Sequence, residues 1–211
     1  EVESHYVDLA RLGPGPDAVP PGLSANTREQ LRRSARIYGR DGPLRVEAAA
    51  DVPEALAMLD ELAQLHQNRW TGRGKPGVFA SSRFIAFHRD LVARAFPSGG
   101  VQLLRIRAGA TVIGLLYNFV YKGRVYFYQG GLRFSDDNRL KPGLVAHAAA
   151  IRHARDAGLR EYDFLAGDDR YKQSLSTDSR TLRWLVFERP TLKMKALRLL
   201  RRLKRRREAG A

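Results

Sequence analysis

"KPGLVAHAAAIRHARDAGLREYDFLAGDDRYK", residues 141–172, decides the fold. Its first half has Pro142 near the first turn, an alanine-rich apolar face and Gly158 as a stop, the marks of a complete helix. "REYDFL" follows at once as a strand. Ahead of the helix, "VQLLRIRA", "TVIGLLYNFVY" and "RVYFYQGGL" read as three strands joined by hairpin-sized turns at Gly109 and at Lys122-Gly123. A strand, a crossover helix and a next strand make a locally parallel pair. The expected fold is therefore α+β, with a mixed, mostly antiparallel sheet flanked by helices.

Working back from the meander, "SANTREQLRRSARIY" (24–38) is a basic helix with a Ser or Asn cap near its start, and "LRVEAAA" is a short alternating segment. "DVPEALAMLDELAQLHQNRW" is amphipathic. Its Leu56, Leu59, Leu62, Ala63 and His66 recur at three and four, behind Asp51, Pro53 and Glu54 as a well-made start. "SSRFIAFHRDLVARAF" places Phe84, Phe87, Leu91 and Ala95 on one face. The stretch to about Gly22, coloured by "RLGPGPDAVPPG", reads as a linker or arm. At the far end "TLRWLVFER" is expected as the last strand, and "TLKMKALRLLRRLKRRR" as a basic helical tail. The expected division is 1–23 as linker or N-terminal arm, 24–190 as the folded domain and 191–211 as the tail.

The 211 residues, 44% hydrophobic, suffice for one good core. With no cysteine there is no disulfide framework, thiolate metal site or cysteine nucleophile, which suits a reducing cytoplasm. His5, His66, His88, His147 and His153 include no pair at i, i+4, so no metal is expected and each reads as an ordinary core or surface histidine. No apolar run reaches the roughly 18 to 20 residues of a membrane span, and the first residues form no signal-like segment and lack an initiating Met. We expect a soluble, cytoplasmic chain that is a fragment or a processed product. Of the net charge of +15, the tail carries +8, leaving a mildly cationic body. The tail reads either as a solvated terminus or as a segment that docks on an anionic surface, which would make the protein membrane-peripheral.

Several motifs carry chemistry. "GRGKPG" (72–77) matches GxGxxG in letters only, since it follows a helix and Pro76 stands where a helix should open. It is neither that fingerprint nor a Walker loop, and reads as a rim loop. In "NRW", Trp70 is either a core anchor or a ligand platform, and Arg69 could serve an anionic group. Gly130 and Gly131, behind Gln129 at the end of a strand, fit a bulge or splay that frees backbone for an extended ligand, or a plain turn. "NRLKPG" opens the crossover helix, so its unpaired N–H groups, with Arg139 and Lys141 adding charge, either seat a phosphate or form a solvated cap. Asp163, Asp168, Asp169, Tyr171 and Lys172 cluster at the carboxyl end of a strand with a parallel neighbour, where ligands bind. A structural account also exists: Asp168 or Asp169 caps a short helix and Lys172 pairs with Asp163.

The order of a three-strand meander, a helix with a "PG" start and "YDFLAGDDRYK" resembles the acetyltransferase-like domain of the CelD/BcsL group. That group belongs to the GNAT superfamily and is related to the FemAB aminoacyltransferases. The similarity runs from about Arg28 to Glu188 and excludes the tail. Members of the group look like two half-domains in tandem, which implies a missing N-terminal half.

The resemblance implies acyl transfer from a thioester, acetyl-CoA or another acyl-CoA, to an amine. In that scheme Gln129, Gly130 and Gly131 pair with the pantetheine amides, and Arg139, Pro142, Gly143 and Leu144 hold the pyrophosphate. Asp163 or Asp168 takes the amine's proton, Tyr171 protonates the departing thiolate, and Lys172 holds a carboxylate or phosphate. Arg69 and Trp70 are the substrate-side residues. The sequence departs from the usual Q/R-x-x-G-x-G/A loop, because from Arg139 the two glycine positions are Pro142 and Leu144. In the FemAB relatives the donor is aminoacyl-tRNA, and the "YK" here is similar to their "FK". Three functions therefore compete: an acyl-CoA-dependent N-acyltransferase acting on an amine, for instance an amino sugar of envelope or exopolysaccharide synthesis; a tRNA-dependent transferase; and a degenerate, non-catalytic binding domain.

Overall fold

The computed structural model describes residues 1–167, 169–185, 187, 191 and 194. Asp168 and the helical tail expected after Thr191 lie outside the described residues, apart from Thr191 and Met194 themselves. Val2–Leu182 makes one compact unit. Glu1 and the described residues from Arg183 onward belong to another, in which Arg183 Nε donates to Glu1 at 2.8 Å.

The sheet of the larger unit is built from β1 (Val2–Asp8), β2 (Leu44–Ala48), β3 (Val101–Ala108), β4 (Thr111–Tyr121), β5 (Arg124–Leu132), β6 (Glu161–Ala166) and β7 (Asp178–Leu182). The strand order is β2-β3-β4-β5-β6-β1-β7, and among these pairs only β5–β6 is parallel. The mixed α+β sheet is as expected. The β4–β5 hairpin closes on Lys122 and Gly123, both at positive φ (47° and 71°), the geometry of a type I′ turn.

Two layers cover the sheet. α1 (Ala25–Tyr38), capped by Ser24, and α4 (Pro142–Asp156) pack with Leu104, Ile106, Leu116, Val125, Tyr162 and Phe164. α2 (Val52–Thr71), capped by Asp51, and α3 (Ser82–Ala95) pack with Leu103, Leu115 and Tyr117. Leu62 and Leu115 are fully buried, each stabilising the fold by about 2 kcal/mol. α2 comes close to β5 because position 131 is Gly: a Cβ there would run into the Leu62 carbonyl and lie 2.9 Å from Leu62 Cα. The short α5 (Arg170–Leu175) follows β6.

Two expectations are corrected. The first residues are not an arm: β1 sits between β6 and β7, with Val7 wholly buried. The Pro and Gly signal begins only at Gly13, and the segment before it, "EVESHYVDL", has strand character of its own. The last strand also starts and ends earlier than "TLRWLVFER", because β7 pairs with β1 from Asp178↔Tyr6 to Leu182↔Val2, where β1 begins.

Candidate active site

The β5–β6 seam holds for three residue pairs, Arg124↔Glu161, Val125↔Tyr162 and Tyr126↔Asp163, and then opens. Beyond Tyr126, β5 stays paired with β4 as far as Leu132, and a register shift leaves Tyr128 as an extra, bulged residue. β6 follows β1 instead. Between the pairs Tyr6↔Asp163 and Ser4↔Ala166, two residues of β6 face one of β1, and Leu165 adopts φ +59°. That conformation costs a leucine roughly 1–2 kcal/mol. Asp163 holds it in place, its Oδ1 accepting from the Leu165 amide (2.7 Å) and from Ser4 Oγ (2.7 Å).

A cavity of about 570 Å³ fills the opening, within the range of small-molecule sites. From β5 it is lined by Phe127, Tyr128, Gln129, Gly130 and Leu132, and from the start of α4 by Lys141, Pro142, Gly143, Leu144 and His147. α2 contributes His66, Arg69 and Trp70, and the turn after β6 contributes Asp169, Tyr171 and Lys172. α4 opens on Lys141, which makes no side-chain cap, while the Lys141 amide donates to Ser34 Oγ at 2.8 Å. Among the described residues the Gly143 and Leu144 amides, in the first turn, have no partner, and the helix dipole adds positive potential there.

The cavity brings together Gln129, Gly130, Pro142, Gly143, Leu144, Arg69, Trp70, Tyr171 and Lys172. It does not include three other candidates. Asp163 is buried beside Ser4 and Arg180, where its carboxylate is used to hold the β6 bend. Gly131 faces α2. Arg139 is exposed and spends its guanidinium on Asp137 (2.8 and 2.9 Å), whose pKa those hydrogen bonds lower to about 2. Lys172 does not pair with Asp163: its Nζ donates to the Ala166 carbonyl (2.9 Å) and lies 3.7 Å from Asp169.

His147, an ordinary core or surface histidine by its sequence, also lines the cavity. It stands four positions after Gly143, on the same helical face, with its ring stacked on Tyr171 (centroids 5.2 Å apart, 15° between planes). Its Nδ1 is 3.1 Å from the Tyr162 hydroxyl. Burial, and then the charge of Lys172, lower its pKa to about 3, so the imidazole is neutral. Tyr171 is pushed up by burial and then by Asp169, which keeps it protonated, and among the described residues its hydroxyl has no hydrogen-bond partner. Arg69 lies over the Phe134 ring at 3.4 Å. Burial lowers the pKa of His66. Among the described residues no group of His, Asp and Glu is arranged to hold a metal.

A family model described as an acetyltransferase (GNAT) domain matches residues 25–173. The chain belongs to this acetyltransferase family. Its fold is shared with the crystal structure of FemX (TM-score 0.58, 12% identity, 84% of this chain and 59% of that one). It is also shared with L-PGS from Bacillus licheniformis (TM-score 0.50, 14% identity, 78% of this chain and 46% of that one). Among curated proteins, one from Bradyrhizobium sp. (strain BTAi1 / ATCC BAA-1182), described as a dihydroorotate dehydrogenase (quinone), is 33% identical over 113 residues, which is 50% of this chain and 30% of that protein. The chain thus spans under a third of that relative and about half of those two solved structures. No described helix is long and apolar enough to cross a membrane.

Proposed function

We propose that the chain is an N-acyltransferase that moves an acyl group from acyl-CoA to an amine. The observation that carries this reading is the open seam: a strand edge that has no partner among the described residues, ending beside two helix-start amides likewise unpaired among them, at one cavity of about 570 Å³. An acyl-CoA has the matching parts. Its pantetheine amides would complete the edge of β5 over 127–132, and its pyrophosphate would take the Gly143 and Leu144 amides.

The amine nitrogen attacks the thioester carbonyl, a C–N bond forms and the C–S bond breaks. Tyr171, held protonated, gives its proton to the leaving thiolate. The amine's proton goes to a carboxylate. Asp169 on the lining is the candidate among the described residues, and Asp168, outside them, is the second. Lys172 orients the turn that carries Tyr171 through the Ala166 carbonyl, and Arg69 and Trp70 form the acceptor side. An amino sugar of envelope or exopolysaccharide synthesis is our proposed acceptor, and its hydroxyls suit the polar groups of that wall.

A second reading, an aminoacyl-tRNA donor, is favoured by Pro142, which removes one N–H from the helix start. One assay separates the two. Release of free thiol from acetyl-CoA in the presence of amino sugars supports the first reading. Transfer only from charged tRNA, with a steep loss of binding as salt rises, supports the second.

A further inference from the structure

A second cavity, of about 490 Å³, lies between α1, α4 and the loop after β1. Its apolar floor is Leu31, Ala35, Leu44 and Val145, and its walls carry Arg28, Arg32, Arg36 and Arg152 against the single carboxylate of Asp17. Arg28, Arg32 and Arg36 repeat every four residues, so they form one face of α1 with steps of about 6 Å. Arg152 reaches the same space from α4. Among the described residues none of the four arginines is in an ion pair. Arg28 and Arg152 make only long contacts to carbonyls, Leu23 O at 3.5 Å and Ala18 O at 3.4 Å. Burial and the neighbouring Arg155 disfavour the charge on Arg152, although Asp17 and Asp156 offset part of this. Four converging guanidiniums against one carboxylate in a concave site raise the local potential for anions. The planar guanidinium fork matches phosphate oxygens two at a time.

We propose that this cavity is a second ligand site, separate from the acyl-transfer cavity, for a compact polyanion of the phosphomonoester or diphosphate class. Its volume suits a small molecule, and Arg32 and Arg36, exposed at the rim, are placed to close over a charged head group.

Titration calorimetry of the full chain with inorganic pyrophosphate, and separately with CoA, tests it. Pyrophosphate should bind saturably, and Arg152→Gln should weaken it about tenfold or more, the worth of one charge-assisted contact. Arg32→Gln/Arg36→Gln, at exposed positions, should do the same without changing the melting temperature, which guards against a folding defect in the Arg152 variant. CoA affinity should stay the same in all of them. Arginine-dependent binding to phosphatidylcholine vesicles only when phosphatidylglycerol is present would identify a lipid head group as the source of the phosphate. The proposal is overturned if pyrophosphate fails to bind, if the variants bind it as wild type does, or if they lose CoA in the same proportion, which would make the cavity a distal part of the donor site. Absence of CoA binding in wild type would count against the acyl-CoA donor alone, since the pyrophosphate comparison still decides this site.

Discussion

Over residues 124–126, β5 has β6 as a hydrogen-bonded neighbour; over 127–132 the same strand has no partner on that side among the described residues. The closed half is conventional. Val125 and Tyr162 are fully buried there, and Glu161 pairs with Arg124 and Arg180. The open half is made by a departure in β6, where Leu165 leaves the strand conformation and Asp163 holds it there. The comparison separates two jobs that the sequence places side by side: one acidic residue shapes the opening, and the residues just after it furnish the opening.

The largest effect should come from acid. His147 beside the open half has a pKa lowered from its ordinary 6.5 to about 3, so its contribution is intact above about pH 6.5 and is lost as pH falls toward 3. Between about pH 7 and about pH 4 the chain should lose roughly 3 kcal/mol through this group, read by urea denaturation, and His147→Gln should flatten that loss. A slope unchanged in the variant would mean that the imidazole is not held neutral by burial. Asp163→Ala comes next. It leaves the Leu165 amide and Ser4 hydroxyl unpaired, so it should cost about 2–4 kcal/mol of stability and reduce donor binding with it.

Tyr171→Phe should lower turnover by about 10²-fold with the melting temperature unchanged, since its hydroxyl supports no contact among the described residues. If Asp163→Asn, which keeps an acceptor toward Leu165, fell as far in turnover while remaining folded, Asp163 would be chemical after all. The two glycines should also divide. Gly131→Ala should destabilise by about 1–3 kcal/mol because α2 is in the way. Gly130→Ala, whose Cβ would meet the Leu116 side chain at 3.3 Å, should be milder in stability and act on donor affinity. The smallest effect should be that of Arg139→Ala, less than about twofold on donor affinity, because the exposed guanidinium is occupied by Asp137.

Much of this was legible in the chain itself. Caps at Ser24 and Asp51, Pro142 at a helix start and the Lys122-Gly123 turn are local chemistry, and each fell where expected. The glycine pair hinted at the opening but could not divide its labour, because whether a missing Cβ serves a ligand or a helix depends on what packs opposite. The role of Asp163 was hidden for the same reason: its partner Ser4 is 159 residues away, on a strand that the Pro and Gly of the next segment disguised. His147 could have been found as the one polar residue within "GLVAHAAAI", four positions past the helix-start glycine.

The central claim is that the open half of β5 seats the donor, and amide hydrogen exchange with and without CoA tests it most directly. The account predicts that CoA slows exchange over 127–132 and at Gly143 and Leu144, and leaves 124–126 unchanged because those residues already have β6. CoA binding without protection of the open half, or protection confined to other parts of the sheet, would contradict it.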